Sequence, residues 1–236
     1  MEIYLATENT HKVRELKAIF ADHRIITPKE AGIDYSFEET GTTYFENAYG
    51  KARALFDKVQ APVIADDSGL SLPALDGAPG IYSSRYGSPG DGQKLETPER
   101  NRYLLSKTAH LQKEEDREAF FVSCMVLILE DYRFFTAQET VDGVLTTEPR
   151  GGGGFGYDPL FFLPSYGRTV AELPEEEKNR ISHRGKAGAR LASLLAGMDT
   201  ESLSALPETG RFDGSSADTP INDSAAKNIN KGERSS

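Results

Sequence analysis

Residues 120–129 constrain the fold of this chain more than any other stretch: ten residues, apolar except for Ser123, and rich in aromatic and branched side chains. Such a run reads as a strand, and a shorter, more alternating run, residues 134–141, follows it closely. With Asp131 and Tyr132 at the turn, the two runs predict an antiparallel pair. Residues 3–6 and 63–65 read as further strands, and helical spacing separates them. Val13, Leu16, Ile19 and Phe20 share one face of a helix that Thr10 could cap, and Phe45, Ala48, Ala52, Leu55, Phe56 and Val59 trace a single buried stripe. A third helix is expected to begin at Pro98 or Glu99 and to bury Leu104, Leu105 and Leu111. A last one runs from about Lys186 to Leu195 and stops at Gly197. Strands interleaved with helices, together with an antiparallel pair, predict an α/β protein with a mixed sheet.

The length of 236 residues fits one large domain, placed at residues 1–197, with 38% hydrophobic residues as expected of a soluble protein with a moderate core. Residues 198–236 are expected to form a largely disordered polar extension; from 207 onward they hold 4 basic and 5 acidic residues and few apolar ones. A net charge of −10 excludes partners chosen by a basic field, namely nucleic-acid polymers and anionic membranes. A small anionic ligand remains compatible, because a few local cations and backbone N–H groups suffice to hold a phosphate. No stretch reaches the ~20 apolar residues of a membrane helix. The N-terminus lacks the pattern of a signal peptide. The one cysteine, Cys124, can form no internal disulfide and offers no cysteine metal site. A cytoplasmic location is expected.

Four places could carry chemistry. The turn Thr7-Glu8-Asn9-Thr10-His11-Lys12 leads from a strand into a helix, and reads either as a phosphate cradle of free N–H groups or as an ordinary helix start. Glu38-Glu39 and Asp66-Asp67 supply oxygen ligands suited to Mg²⁺, or else a solvated acidic loop. Asp66-Asp67-Ser68-Gly69 is expected to be a tight turn aiming both carboxylates at one spot. The run Arg150 to Pro159 holds four consecutive glycines before Phe155, whose ring could stack on a base or tuck into the core. Glu177-Lys178-Asn179, followed by Ser182-His183-Arg184, is a dense donor cluster, a composition usually found on a solvated face.

The order of these motifs resembles the inosine triphosphate pyrophosphatase family. The likeness rests on Ala-Thr-Glu-Asn-Thr-His-Lys from Ala6, Glu-Glu-Thr-Gly from Glu38, Glu-Asn-Ala from Glu46 with Lys51-Ala52-Arg53, and Ala-Asp-Asp-Ser-Gly-Leu from Ala65. It continues through Gly-Ala-Pro-Gly-Ile-Tyr-Ser-Ser-Arg-Tyr from Gly77, Gly-Phe-Gly-Tyr-Asp-Pro from Gly154, and the Lys178 to Arg184 cluster. The resemblance implies a two-lobed α/β fold around a long mixed sheet, with the nucleotide in the cleft between the lobes, and a homodimer. It implies hydrolysis of ITP, dITP and XTP to monophosphate and pyrophosphate, which cleanses the nucleotide pool. By position, Thr7, Asn9, Thr10, Lys12 and Lys51 would hold the triphosphate, with Glu8 and His11 in the same loop. Glu39 and Asp67 would bind Mg²⁺, Asp67 would accept a proton from water, and Ser68 would touch substrate. Phe155 would stack on the base, in a pocket lined by Gly156, Tyr157, Asp158, Lys178, His183 and Arg184.

One residue departs from the family's opening Ala-Thr-Gly-Asn: Glu8 stands where the glycine does. Glycine allows positive φ and close approach, whereas a carboxylate repels phosphates, so weaker binding with the same reaction is expected. Two other readings compete: a related pyrophosphatase for pyrimidine or modified-base nucleotides, and a module that binds nucleotides without cleaving them.

Overall fold

The computed structural model describes residues 1–90 and 93–198. In chain order the elements are β1 (Glu2–Leu5), α1 (Thr10–Ile19), β2 (Arg24–Ile26), α2 (Tyr44–Val59), β3 (Val63–Ser71) and α3 (Thr97–Lys107). Then follow β4 (Glu118–Glu130), β5 (Arg133–Leu145), β6 (Phe161–Leu163), β7 (Arg168–Thr169), α4 (Glu175–Ile181) and α5 (His183–Ala196). The seven strands form one sheet in the order β2-β1-β3-β4-β5-β6-β7. The β1 strand runs parallel to β2 and β3, and every other neighbouring pair is antiparallel. This is the mixed α/β sheet expected. The apolar run sits at its centre as β4, paired with β5 from Glu118↔Val144 to Glu130↔Arg133, which leaves Asp131 and Tyr132 as the turn.

Hydrophobic cores pack on this sheet, and two of them flank the site. One gathers Ala48, Ala52, Leu55 and Phe56 of α2 against Val63, Ala65, Cys124, Val126 and Ile128. The other gathers Leu70, Leu104, Ala119, Phe121, Tyr157 and Phe161. Both β3 and β4 pass from one core into the other, so the two lobes are threaded by the same pair of strands. Polar residues interrupt β3 at the crossing, Asp66, Asp67 and Ser68.

Several boundaries differ from the sequence expectation. The strand from Val63 does not stop at Ala65, and Asp66 to Gly69 form no tight turn; they remain paired in β3 with Met125 to Val122 of β4. Asn9, not Thr10, caps α1, its Oδ1 accepting from the N–H groups of His11 and Lys12 at 3.0 and 3.3 Å. The third helix buries Leu104 fully and Leu105 in part, while Leu111 lies beyond its end. The last helix begins at His183, three residues early, because the Ser182 hydroxyl accepts from Gly185 N–H at 3.0 Å and caps it there. Gly185 is required at that joint, since a Cβ would lie 1.6 Å from the Asn179 carbonyl oxygen of α4. Residues Met1–Gly197 form one compact unit. The disorder expected of 198–236 falls, beyond Met198, outside the described residues. Among the described residues no helix is long and apolar enough to cross a membrane.

Candidate active site

Successive residues of a strand point to opposite faces, and this alternation separates the two aspartates. Asp66 meets Lys12 of α1 and Arg184 of α5, whereas Asp67 meets Asn47 and Lys51 of α2. They do not converge on one spot, as a turn would have made them do. Each anchors a different half of the site.

On the Asp67 side, Lys51 Nζ lies 3.1 Å from Asp67 and 2.6 Å from Glu39, so one ammonium joins both carboxylates. Asn47 is fully buried; its amide donates to Asp67 at 3.2 Å, while its carbonyl oxygen accepts from Gly41 N–H at 2.9 Å. That single side chain ties the Glu39 loop to the strand. Arg85 Nη1 holds the other Glu39 oxygen at 3.1 Å. Burial pushes the Asp67 carboxyl above its ordinary value, and the nearby cations only partly offset this. Burial also acts on Glu39, but the Lys51 charge and hydrogen bond, with Lys12 and Arg85 behind them, hold its carboxyl below the ordinary value. The two carboxyls of the pair are thus shifted in opposite directions.

On the Asp66 side, a chain of buried charges runs through the protein. Asp66 accepts from Ser123 Oγ at 2.6 Å and pairs with Lys12 at 2.7 Å and Arg184 Nε at 3.1 Å. Arg184 continues to Glu15 at 2.5 Å and to Ser68 Oγ at 2.7 Å. Glu15 pairs with Lys178 at 2.8 Å, and Lys178 with Asp158 at 2.8 Å. Burial opposes the charge on Asp66, yet Lys12 and Arg184 hold its carboxyl well below the usual range. The same balance lowers Glu15, whereas burial wins at Asp158 and raises it. The solvated face expected for this cluster is corrected: Lys178, His183 and Arg184 are 6%, 7% and 3% exposed, because each finds a long-range partner.

In the N-terminal turn, Asn9 N–H donates to Thr7 Oγ1 at 3.2 Å, and the cap occupies the N–H groups of His11 and Lys12. The turn is therefore braced internally, and only part of its N–H set stays available for an anion. Glu8 is exposed and lines the cleft, and it is not at positive φ: among the described residues the positive-φ non-glycine ones are Gln60 and Asp76. The backbone here does not require a glycine.

The glycine-rich loop places Phe155 half-buried on the cleft wall rather than in the core. Gly154, at φ +69°, could carry no Cβ, which would lie 2.2 Å from Asp158 Oδ2. The same oxygen accepts from Phe155 N–H at 2.8 Å and fixes the loop. Lys178 Nζ and Arg184 Cζ lie 4.7 and 5.5 Å from the Phe155 ring centre, and His11 stacks on that ring. His183 stacks on Phe121 at 4.6 Å; burial, then the Arg184 charge, hold its imidazole well below its ordinary pKa, so it is neutral. The cleft, of about 650 Å³, is lined by Thr7, Glu8, Asn9, Lys12, Glu39, Lys51, Asp67, Ser68, Phe155, Gly156, Tyr157, Asp158, Lys178, His183 and Arg184. Thr10 and His11 stand outside that lining, and Asp66 lies beneath it.

Sequence reasoning assigned no role to Glu15, Asn47, Arg85 or Ser123. Glu15 falls three residues after Lys12 on α1, and that spacing was the one available sign that it shares the cation's side. Asn47 and Arg85 stand in motifs that carried the resemblance. Ser123 was visible as the one polar break in an apolar strand.

Fold and site together define a class: a mixed-sheet α/β protein whose interlobe cleft sets lysines beside paired carboxylates, with an aromatic wall opposite. The chain belongs to the Ham1 family, whose pattern matches residues 3–194. It is 48% identical over 197 residues to a protein of Treponema denticola named dITP/XTP pyrophosphatase, covering 84% of this chain and 100% of that one. A protein of the same name from Shigella flexneri is 45% identical, covering 82% of this chain and 98% of its own length. Among solved structures, a HAM1 protein from Coxiella burnetii superposes with a TM-score of 0.75 at 38% identity, covering 84% of this chain and 100% of that one.

Proposed function

We propose that this protein hydrolyses non-standard purine nucleoside triphosphates, ITP, dITP and XTP, to the nucleoside monophosphate and pyrophosphate. The observation that carries the reading is the polarity of the cleft: Glu39, Lys51 and Asp67 at one part, Phe155, Lys178 and Arg184 at another. A triphosphate and its base fit those two parts in that order. The names of relatives 45–48% identical over most of their length support the same reaction.

Glu39 and Asp67 fit Mg²⁺, a cation that takes one or two protein carboxylates and fills its remaining positions with substrate phosphates and water. Both already share a cation, Lys51, and among the described residues no larger cluster of three metal-binding side chains competes. When bound there, Mg²⁺ would neutralise charge on the phosphate oxygens. Asp67, its carboxyl raised by burial, takes the proton of a water attacking the α-phosphorus. Lys12 and Lys51 stabilise the charge that develops on the leaving pyrophosphate.

Base selection follows from the donor-rich wall. Three nitrogens of Arg184 are fixed by Glu15, Asp66 and Ser68, and Lys178 is fixed by Glu15 and Asp158, so these cations cannot swing to accommodate a different edge. The 6-oxygen of hypoxanthine or xanthine accepts from such a wall, whereas the adenine amino group meets donors with no acceptor. Each buried unpaired polar group costs ~1–3 kcal/mol. The deciding experiment is pyrophosphate release from ITP, dITP, XTP, ATP, GTP and dUTP, with and without Mg²⁺. Release from the first three, only with Mg²⁺, is expected. Preference for dUTP, or binding without release, overturns the reading. The same proposal makes the protein a cytoplasmic homodimer, checked by light scattering and by fractionation.

A further inference from the structure

We propose that His11 is a positioning residue that couples base recognition to the phosphate turn by backing the Phe155 ring, an inference that rests on the nucleotide reading above. The His11 ring centre lies 4.9 Å from that of Phe155, with the planes 14° apart. Phe155 lines the cleft and His11 does not. The imidazole therefore backs the ring from a residue outside the cleft lining, and it shares the ring with the cleft cations Lys178 and Arg184, at 4.7 and 5.5 Å from its centre.

The loop gives Phe155 little stiffness of its own. Gly154 and Gly156 flank it at φ +69° and +64°, and a Cβ on Gly156 would meet nothing within 4 Å. Its backbone is held by Asp158, a bond that does not itself fix the ring's side-chain torsions. Beside the two cations Lys178 and Arg184, the imidazole is the aromatic plane that restrains those torsions. Its own backbone is fixed by the Asn9 cap, in the turn that carries Thr7 and Lys12. One residue thus joins the element proposed for the phosphates to the element proposed for the base.

The test separates this role from simple phosphate binding. Kinetics on ITP are measured for His11→Ala and His11→Phe, with inhibition by inorganic tripolyphosphate, which has no base. For His11→Ala, KM should rise about two- to tenfold, the range an aromatic pair supports, with kcat within about twofold. Tripolyphosphate inhibition should be unchanged, and His11→Phe should restore KM. An unchanged KM overturns the proposal, and so does an equal loss of tripolyphosphate inhibition. The chain has no tryptophan, so Phe155→Trp gives a single reporter. Acrylamide quenching of that indole should increase when His11→Ala is added, and equal quenching overturns the stack without reference to activity. A wild-type enzyme that releases no pyrophosphate from ITP sinks the functional reading instead, and the quenching result still decides the contact.

Discussion

Arg184 and Glu15 stand 169 residues apart in the chain and meet at 2.5 Å in its interior. Among the described residues Glu15 is the one carboxylate shared by Arg184 and Lys178, so α1 is joined through it to both α4 and α5. Glu15→Ala leaves two cations buried with one partner fewer. Removing one member of a buried ionic group costs roughly 3–5 kcal/mol, because the remaining charge stays desolvated. The urea midpoint of Glu15→Ala at neutral pH should fall accordingly, and a change below about 1 kcal/mol would contradict the network's role.

Asp67→Asn preserves shape and removes the proton acceptor. Pyrophosphate release from ITP should fall roughly 10²- to 10⁴-fold in kcat, the usual contribution of a positioned base. Calorimetric binding of ITP should survive. Wild-type turnover in this variant rules Asp67 out as the base.

Glu8 carries a charge but no backbone strain, so Glu8→Gln and Glu8→Gly should act alike. Both are expected to lower KM for ITP several-fold at unchanged kcat, with the effect shrinking as ionic strength rises toward about 1 M. If glycine alone lowers KM, backbone freedom matters and the electrostatic account fails.

His183 gives stability a pH dependence whose sign is fixed. Its folded pKa lies well below the ordinary imidazole value, so below about 6.5 the unfolded chain takes up a proton that the native protein does not. The stability is fully present above that value and is lost as pH falls, by up to ~1.4 kcal/mol per unit. Asp66, also depressed, adds a second loss only below the usual carboxylate range. Urea unfolding at pH 7.5 and 5.5 should differ in the wild type, and differ less in His183→Gln.

Much of the sheet was legible in the sequence because its central hairpin is written in local pattern. Residues 120–129 and 134–141 are apolar or alternating, and the Asp131-Tyr132 turn lies where expected. Ala48, Ala52, Leu55 and Phe56 of the expected stripe likewise report the buried face of α2, with Val59 half-buried, whereas Phe45 at the helix start is 39% exposed. Asp66 and Asp67 were misplaced in a turn because consecutive carboxylates are poor strand formers; what keeps them in β3 is pairing with β4 and with Lys12, Arg184 and Lys51, all remote in sequence. Arg184 looked solvated for the same reason, since the carboxylates it meets lie more than a hundred residues away, and His183 because the Phe121 ring it stacks on belongs to another element. Composition shows how many charges there are, and only the fold shows which ones meet.

The passage of β3 and β4 through both cores also limits how the cleft can move. Lobes joined by a loop open about a few torsions, at little energetic cost. Here nine consecutive residue pairs, Val63↔Ile128 to Ser71↔Phe120, bridge the lobes as one ladder. Opening must spread over that ladder as a slight twist, like the flexing of a leaf spring, and a leaf spring returns to shape. Wide excursions are left to the loops at the rim, so the floor beneath Asp67 keeps its geometry from one turnover to the next.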